Sequence, residues 1–209
     1  MKTDPDNIKT VKLKKILRNK IQEKRDNLSD HERLTGSKLI AERFMELDCY
    51  ITSKEILAYH TFRSEIDTTI IIREALKQKK KIILPKVSGS YLDLYYIKDL
   101  SNDLSPGSFG IVEPVPSRCT LASYKSIDLV LIPGVGFDRD YNRLGYGGGF
   151  YDKLLKKIPA EVPRIALAFD LQIAESIPVM AHDLKVDIII TEKEMLASIN
   201  DCEDLINNK

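Results

Sequence analysis

A glycine-rich segment, Gly145–Gly149, carries the clearest chemical signal in this sequence. Four of the ten glycines of the chain lie within these five residues. Such a loop has little side chain in the way, so its backbone N–H groups can turn inward and bind an anion. A predicted helix follows the loop, and the N-terminus of a helix favours negative charge. Arg143 adds a planar cation that suits phosphate. The pattern predicts a phosphate-binding loop, with a flexible glycine-rich turn as the alternative.

The glycine-rich segment matches neither of two common nucleotide-binding motifs. No Lys-Ser or Lys-Thr pair follows the glycines, which excludes a Walker A motif. Gly145 and Gly147 fit the dinucleotide fingerprint G-x-G-x-x-G, but its last position is Phe150. Asp152, about one turn beyond the loop, is well placed to hold Mg²⁺ against a bound nucleotide. It could equally be a first-turn helix acid that stabilises the helix dipole.

The elements that must position this loop begin with two predicted helices. Apolar residues at helical spacing indicate a helix over residues 8–26, which is also strongly basic. Ser29, with Glu32 three residues later, forms a capping box that predicts the start of a second helix. The predicted apolar face of the first helix consists of Leu13, Ile16, Leu17 and Ile21.

Strands and helices alternate through the rest of the chain. Residues 127–133, with the sequence IDLVLIP, are almost entirely apolar, as expected of a strand buried on both faces. Buried strands that alternate with helices indicate an α/β fold, a three-layer α/β/α arrangement with a largely parallel or mixed sheet. No long linker divides the chain, so residues 1–209 are predicted to form a single domain. The other predicted strands are 55–60, 81–87, 91–97, 164–169 and 186–190; the other predicted helices are 68–78, 150–158 and 192–199; and 101–117 is predicted to be a loop.

Composition narrows the class of protein. A chain of 209 residues with 43% hydrophobic residues is globular and buries about 70% of its unfolded surface. Its 32 basic and 31 acidic residues nearly cancel, which argues against a nucleic-acid partner. No apolar run approaches the ~20 residues of a membrane span, and no secretory signal is recognised. The cysteines, Cys49, Cys119 and Cys202, are too far apart for a metal knuckle or redox pair. We therefore expect a cytoplasmic protein with reduced thiols and no membrane partner.

The glycine-rich segment also resembles a known signature. The sequence RLGYGGGFYD at residues 143–152, preceded by IPGVGFD at residues 132–138, closely resembles the motif of the 5-formyltetrahydrofolate cyclo-ligase family. The ten-residue motif is highly specific, and the resemblance covers nearly the whole chain. It implies the three-layer fold seen in sugar-phosphate isomerases and CoA-transferases. Further matches are Lys14–Arg18, Tyr59-His60 with Glu65–Thr68, Glu113-Pro114, Ala168-Phe169 with Gln172, and His182–Asp187.

The resemblance implies a reaction and its partners. Members of this family convert 5-formyltetrahydrofolate to 5,10-methenyltetrahydrofolate, while ATP, with Mg²⁺, is converted to ADP and phosphate. In the implied mechanism ATP phosphorylates the formyl oxygen, N10 attacks the activated carbon, and phosphate leaves. Such chemistry requires positioning and charge neutralisation more than a protein nucleophile, and no nucleophilic set stands out in the sequence. The implied partners are ATP and the folate, which can carry a polyglutamate tail, and the expected protein is a monomer or weak homodimer.

The resemblance also implies roles for individual residues. Arg143 and Asp152 are the implied catalytic residues, and Asp152 and Asp183 are the implied Mg²⁺ ligands. The implied ATP site consists of Lys14, Arg18, Arg143, Leu144, Gly145, Tyr146, Gly147, Gly148, Gly149, Phe150 and Tyr151. The implied folate site consists of His60, Glu65, Gly147, Gly148, Gly149, Phe150 and Tyr151.

The residues by themselves leave alternatives open at several of these positions. Lys14 and Arg18 point to the same side of a helix, but most such basic faces are merely solvated. Glu65 could serve the start of a helix, and His60 at a strand end could be structural. The aromatic pair at residues 150–151 could stack on the folate or pack into the core. Asp183 could cap a turn instead of binding a metal.

Two other functions compete with the cyclo-ligase interpretation. A sugar-phosphate isomerase on the same fold would use the phosphate loop without ATP, but it needs a base beside the sugar, and none is convincing. A non-catalytic protein could hold folate or nucleotide for storage or regulation. The intact set of candidate cations and carboxylates, Lys14, Arg18, Arg143, Asp152 and Asp183, weighs against this second alternative.

Overall fold

The computed structural model describes residues 5–107 and 110–197, which contain five α-helices, a short 3₁₀ helix at Asp170–Gln172 and thirteen strands. The helices are α1 Pro5–Asp26, α2 Asp30–Met45, α3 Asp48–Thr52, α4 Thr69–Lys77 and α5 Phe150–Leu155. The strands are β1 Glu55–Leu57, β2 Lys81–Ser88, β3 Tyr91–Ile97, β4 Leu104–Pro106, β5 Val112–Pro114, β6 Thr120–Leu121, β7 Leu129–Ile132, β8 Gly136–Asp138, β9 Arg143–Leu144, β10 Arg164–Leu167, β11 Ile173–Ala174, β12 Ile188–Ile190 and β13 Met195–Ala197.

Eight of these strands form one mixed sheet in the order β13-β12-β10-β7-β1-β2-β3-β6. The five central strands, from β12 to β2, pair in parallel. The outer strands β13, β3 and β6 pair antiparallel. Parallel neighbours need a crossover, and α4 connects β1 to β2 while α5 connects β7 to β10. The mixed sheet with helical crossovers confirms the predicted fold class.

Successive residues of the central strands alternate between two cores. Ile56 and Ile82 belong to the core that includes residues of α2 and α4, whereas Leu57 and Ile83 belong to the core that includes residues of α5. This alternation follows from the two-residue period of a strand. All four residues of β7 are buried, because side chains on both faces of this strand are covered. The sheet therefore lies between two helical layers, as the sequence predicts.

The capping box predicted at the start of the second helix is confirmed. The backbone N–H of Glu32 donates to Ser29 Oγ at 3.2 Å, and the backbone N–H of Ser29 donates to Glu32 Oε2 at 2.8 Å. Two helix-terminal donors are thereby satisfied. Hydrogen bonding to the Ser29 side chain and then to its backbone lowers the pKa of Glu32 below its ordinary value.

The buried face of α1 differs from the predicted one. Leu13 and Ile16 are 43% and 56% exposed, whereas Lys14, Ile21 and Arg25 are buried. These three buried residues are seven and four residues apart, so they form one stripe along the helix. Hydrophobic spacing failed here because α1 directs two cations inward toward other polar side chains. The predicted apolar face is therefore wrong for its first half.

Two predictions for irregular or terminal segments are also wrong. The segment 192–199 was expected to be helical, but Met195–Ala197 is the edge strand β13, paired with β12; residues 198–199 lie outside the described residues. Tertiary pairing decides here, since a short apolar run has no clear period. The predicted loop at 101–117 contains the antiparallel hairpin of β4 and β5.

The structure also bears on the thiols and on membrane spans. Cys49 and Cys119 are free, and burial raises the pKa of the Cys49 thiol to about 11. That thiol is therefore protonated at neutral pH. Cys202 lies outside the described residues. Among the helices that are described, none has the length and apolar character needed to cross a bilayer.

Candidate active site

The segments that follow β1 and β7 line a cavity of about 580 Å³. This location agrees with the rule that ligands of open α/β sheets bind outside the carboxyl ends of the strands. The structure brings together, on the wall of this cavity, fourteen of the fifteen predicted site residues: Lys14, Arg18, His60, Glu65, Arg143, Gly145, Tyr146, Gly147, Gly148, Gly149, Phe150, Tyr151, Asp152 and Asp183.

Leu144 is the predicted site residue that does not line the cavity. It is 1% exposed, and its side chain packs in a separate small core with Ile21, Val135 and Ile177. Its carbonyl oxygen accepts a hydrogen bond from the backbone N–H of Val135 at 2.8 Å. Leu144 therefore fixes the strand that enters the glycine-rich loop, and a role in binding ATP stays a prediction for this residue.

The segment between β7 and the glycine-rich loop forms a small sheet of its own. Strands β8 and β9 pair as an antiparallel hairpin, and β11 adds a parallel strand. The buried carboxylate of Asp138 closes this hairpin. Its Oδ1 accepts the backbone N–H of Asn142 at 2.9 Å, and its Oδ2 accepts the backbone N–H of Ile177 at 2.8 Å. This arrangement fixes where Arg143 and the glycine-rich loop begin.

Replacing Asp138 by Ala should lower the free energy of unfolding by about 3 kcal/mol, because backbone donors are then left buried without an acceptor. Denaturant titration with an unchanged slope would measure this loss. Asp99→Ala is a matched control, since Asp99 also accepts backbone N–H groups, from Ser101 and Asn102, but is exposed. Equal losses in the two variants would contradict the structural role given to Asp138.

The glycine-rich loop has a backbone that other residues rarely adopt. Gly147 has φ of 100° and Gly149 has φ of 65°, both in the left-handed region. The carbonyl oxygen of Gly145 accepts the Arg18 Nε–H at 2.6 Å, which ties the loop to α1. Helix α5 then runs only to Leu155, three residues short of its predicted end. Its dipole is accordingly small, so an anion in this loop depends mainly on loop N–H groups and nearby cations.

Two ion pairs dominate the polar part of the cavity. Lys14, 6% exposed, donates to Asp183 Oδ2, and Arg143 Nη2 donates to Asp152 Oδ1 at 2.6 Å. Additional hydrogen bonds hold both pairs, as buried charges require. Asp183 accepts the backbone N–H of Met180 at 2.7 Å, and Arg143 donates to the carbonyl of Pro133 at 3.2 Å. Each predicted metal carboxylate is thus paired with one predicted phosphate-binding cation.

Two polar atoms of cavity-lining residues are buried without a hydrogen-bond partner in the described part of the chain. They are Arg143 Nε and the hydroxyl oxygen of Tyr151. Leaving such a group unsatisfied costs about 1–3 kcal/mol, so a ligand that reaches it gains that much. Burial, followed by the charge of Glu65, raises the pKa of Tyr151. The hydroxyl therefore stays protonated and available as a donor.

The sequence left open whether the aromatic pair at residues 150–151 packs into the core or faces a ligand, and the structure shows that the pair contacts the core and also borders the cavity. Phe150 and Tyr151 pack against the core that includes α5, and both also line the cavity. Each ring is therefore held on one side by apolar side chains. A fixed aromatic surface of this kind suits a planar ligand, because little conformational entropy is lost when the ligand binds.

Glu65 is held in a tight turn between β1 and α4. The hydroxyl of Thr61 accepts the Thr68 N–H at 2.8 Å, and the hydroxyl of Thr68 donates to the Tyr59 carbonyl at 2.6 Å. Glu65 itself is 8% exposed; its Oε2 accepts the Phe62 N–H at 2.9 Å, and its Oε1 accepts the hydroxyl of Tyr146. Burial raises the pKa of Glu65, while Tyr146 and the charge of Arg25 oppose that shift.

His60 also lines the cavity. Its Nδ1 is 3.1 Å from the carbonyl oxygen of Thr61. Because a carbonyl can only accept, Nδ1 is the donor of this hydrogen bond. His60 thus has a structural hydrogen bond and still borders the cavity.

Sequence reasoning missed several residues of this cavity. The buried carboxylate of Glu113 accepts Lys86 Nζ at 3.1 Å and the backbone N–H of Val87 at 3.2 Å. The segment Glu113-Pro114 was noted only as a match, without a role. The apolar part of the wall was also missed, because strand alternation does not say which face meets a ligand. It includes Phe62, Leu84, Val87, Leu92, Ile111 and Val112.

The fold and the cavity define an α/β protein with a phosphate-type loop, paired cations and carboxylates, and an apolar wall. The model of the 5-formyltetrahydrofolate cyclo-ligase family matches residues 10–192. A 5-formyltetrahydrofolate cyclo-ligase of Mus musculus is 33% identical over 189 residues, which cover 86% of this chain and 93% of the relative. The chain belongs to the 5-formyltetrahydrofolate cyclo-ligase family.

Solved structures agree with this family. The NMR structure of Aquifex aeolicus 5,10-methenyltetrahydrofolate synthetase superposes with a TM-score of 0.79 at 36% identity, covering 88% of this chain and 92% of that one. A 5,10-methenyltetrahydrofolate synthetase from Mycoplasma pneumoniae, at 24% identity and a TM-score of 0.69, shares the fold over 86% of this chain and 98% of its own. The chain is accordingly an enzyme with 5-formyltetrahydrofolate cyclo-ligase activity.

Proposed function

We propose that the cavity catalyses the ATP- and Mg²⁺-dependent cyclisation of 5-formyltetrahydrofolate to 5,10-methenyltetrahydrofolate, with release of ADP and phosphate. The observation that carries this proposal is the composition of one cavity wall. The glycine-rich loop and three cations, Lys14, Arg18 and Arg143, share that wall with the buried carboxylate of Glu65. A phosphate group and a ligand with N–H donors can therefore bind side by side.

The cations are proposed to bind the phosphates of ATP. Lys14 and Arg143 are held by carboxylates, and Arg18 is held by a loop carbonyl. Phosphate oxygens can replace these acceptors because charge-assisted hydrogen bonds to phosphate are equally strong. Burial lowers the pKa of Arg18, and the nearby Asp183 carboxylate opposes that shift. An incoming anion would therefore interact favourably with this partly desolvated guanidinium.

Asp152 and Asp183 are proposed to hold Mg²⁺. Their side chains are 23% and 18% exposed on the same cavity wall. Within the described ranges, no group of three or more His, Cys, Asp or Glu residues forms a complete metal cage. This donor set fits Mg²⁺, which usually takes one or two carboxylates together with water and substrate phosphates. When bound, Mg²⁺ neutralises charge on the transferring phosphoryl group.

Glu65 and the aromatic pair are proposed to bind the folate. The Glu65 carboxylate has accepted two hydrogen bonds from the protein, so two of its roughly four acceptor positions remain for N–H groups of the pterin ring. Phe150 and Tyr151 offer ring surface, and the apolar wall from β2, β3 and β5 covers the less polar parts of the ligand. Closure of these surfaces around the folate would exclude water from the reacting atoms.

The proposed reaction has two balanced steps. The formyl oxygen attacks the γ-phosphorus of ATP; the new O–P bond forms as the bond to the bridging oxygen breaks, and ADP leaves. N10 then attacks the formyl carbon, its proton passes to an oxygen of the departing phosphate, and the C–O bond breaks with release of phosphate. Arg143, fixed by Pro133 and Asp152, stabilises charge on the transferring phosphoryl group. The protein positions the reactants and forms no covalent bond.

The test is a paired assay on the purified full chain with 5-formyltetrahydrofolate and MgATP. We expect the methenyl absorbance and ADP to appear in equal amounts, and both signals to disappear with a chelator. Release of ADP without methenyl product would contradict the proposed acceptor. Folate binding without turnover would instead favour a non-catalytic binding protein.

Other properties of the protein stay predictions from the sequence and the family. We propose one domain over residues 1–209, a cytoplasmic location, and a monomer or weak homodimer. A polyglutamate tail on the folate is compatible with the proposal. Sedimentation of the purified chain over a range of concentrations tests the assembly state directly.

A further inference from the structure

Arg25, in the last turn of α1, is a buried cation next to Glu65. It is 2% exposed. Its Nε donates to Ser64 Oγ at 3.1 Å, and its Nη2 donates to the hydroxyl oxygen of Tyr146 at 3.2 Å. A fully buried charge is costly unless it is paired and hydrogen-bonded, so its position calls for a compensating anion.

The hydroxyl of Tyr146 connects Arg25 to that anion. It accepts from Arg25 and donates to Glu65 Oε1, so the hydrogen bonds run in one direction from cation to carboxylate. Ser64, beside Glu65 in the chain, accepts from Arg25 and donates to Asp26. We call these five residues the Arg25 network. Bonds arranged in such a chain polarise one another and are stronger together than apart.

The network acts on the charge of Glu65. Burial raises the pKa of this carboxyl, and the Tyr146 hydrogen bond, the Arg25 charge and the Phe62 N–H oppose that shift. Without Arg25, one of the interactions that lower the pKa of Glu65 would be lost, so burial would raise that pKa further. The titratable groups that interact with Glu65 are Arg25 from α1, Tyr59 after β1, Tyr146 from the glycine-rich loop, and Tyr151 from α5, and Asp26 joins them through Ser64.

We propose that Arg25 is a positioning residue which, through the hydroxyl of Tyr146, keeps the Glu65 carboxylate charged and oriented to accept the N–H groups of the folate ring. The inference rests on the proposed function. A charged carboxylate only accepts hydrogen bonds, whereas a protonated one has to donate, which is wrong for a ring edge made of N–H groups. Because Tyr146 belongs to the glycine-rich loop, the same network also fixes that loop against the folate end of the cavity.

The test compares four single variants and one double variant of the full chain with the wild type. Arg25→Gln removes the charge, Arg25→Lys keeps it, and Tyr146→Phe removes only the bridging hydroxyl at a residue that is 41% exposed. Lys24→Gln is the control, since it removes one positive charge from the adjacent, exposed position of α1. We expect Arg25→Gln and Tyr146→Phe each to raise the folate KM about tenfold or more, the loss typical of a hydrogen bond to a charged group. The ATP KM should change less than about threefold, since the cations proposed to bind phosphate, Lys14, Arg18 and Arg143, are unchanged.

The pH dependence gives a readout that a purely structural role would not change. As the pH falls, Glu65 takes up a proton and kcat/KM for the folate should fall. Loss of the Arg25 charge raises the pKa of Glu65. The acid limb of the pH profile of kcat/KM for the folate should therefore move to higher pH in Arg25→Gln. Arg25→Lys should leave the limb close to that of the wild type. The double variant Arg25→Gln with Tyr146→Phe should be no worse than the poorer single variant, because both act through one bond chain.

Two patterns would overturn the inference. One is a lower kcat together with equally raised KM values for the folate and ATP, while the acid limb of the pH profile does not move. Arg25 would then contribute to stability only. The other is a Tyr146→Phe variant with a wild-type folate KM. Failure of the proposed function itself looks different, since the wild type would then form no methenyl product. In that case calorimetric binding of 5-formyltetrahydrofolate to wild type and Arg25→Gln decides, and equal affinities or no binding to the wild type would refute the role of Arg25.

Discussion

Replacement of Asp152 by Asn should lower kcat about 100-fold or more while the protein remains folded. The carboxylate becomes a neutral amide, so the proposed Mg²⁺ loses one of two charged protein ligands and Arg143 loses its charged partner. Loss of metal positioning acts on the transferring phosphoryl group and thus on turnover. Steady-state kinetics over a series of Mg²⁺ concentrations would measure the effect, and the variant should require more Mg²⁺ for half-maximal rate.

Asp170→Asn is a suitable control for this experiment. Asp170 also pairs with a cation, Lys193, at 2.6 Å, but the Lys193 side chain is 68% exposed and neither residue lines the cavity. Its loss should change kcat by less than about twofold, since exposed ion pairs contribute little. Wild-type turnover of Asp152→Asn at limiting Mg²⁺ would remove Asp152 from the proposed metal site.

Joint replacement of Lys14 and Arg18 by Ala should raise the ATP KM about 100-fold or more, since each charged hydrogen bond to phosphate contributes about 1.5–3 kcal/mol and about 1.4 kcal/mol is a factor of ten. The folate KM should change less than about threefold, because neither side chain contacts Glu65 or its turn. The structure makes this prediction sharper than the sequence does. Lys14 is buried and bonded to Asp183, and Arg18 is bonded to Gly145, so neither is a freely solvated surface cation.

The exposed pair Lys12 and Lys15 provides the matched control. Both lie on α1, and their replacement by Ala removes the same charge from the same helix without touching the cavity. The control variant should keep both KM values. If instead the two double variants behaved alike, the effect would be one of general electrostatic attraction, and Lys14 and Arg18 would not bind ATP directly.

Local patterns in the sequence were enough to predict much of the scaffold. The apolar runs of β7, β10 and β12, bounded by turns, indicated strands covered on both faces, because such strands cannot alternate with polar residues. The Ser29 capping box predicted the start of α2, since its bonds join residues three apart. The glycine-rich loop could also be found, because its chemistry depends on consecutive backbone N–H groups.

Long-range pairing decided what those patterns did not contain. The edge strand β13 forms by pairing with the backbone groups of β12, a partner that local sequence does not reveal. From its short apolar segment alone, a helix was predicted. The face that α1 buries depends on partners far along the chain. Lys14 meets Asp183 across 169 residues, and Arg25 meets Tyr146 across 121. Local spacing cannot predict these contacts, because the two partners are far apart in the sequence and only the folded sheet brings them together.

The sequence by itself therefore determined the α/β fold class, the position of the glycine-rich loop, and the set of side chains proposed to bind a metal and two substrates. Only the tertiary structure decided how those groups are paired. It placed Asp152 on Arg143 and Asp183 on Lys14, and it joined Glu65 to Arg25 through Tyr146. The physical reason is that a buried charge must find a partner, and the nearest partner in space is set by the packing of α1 against the sheet ends.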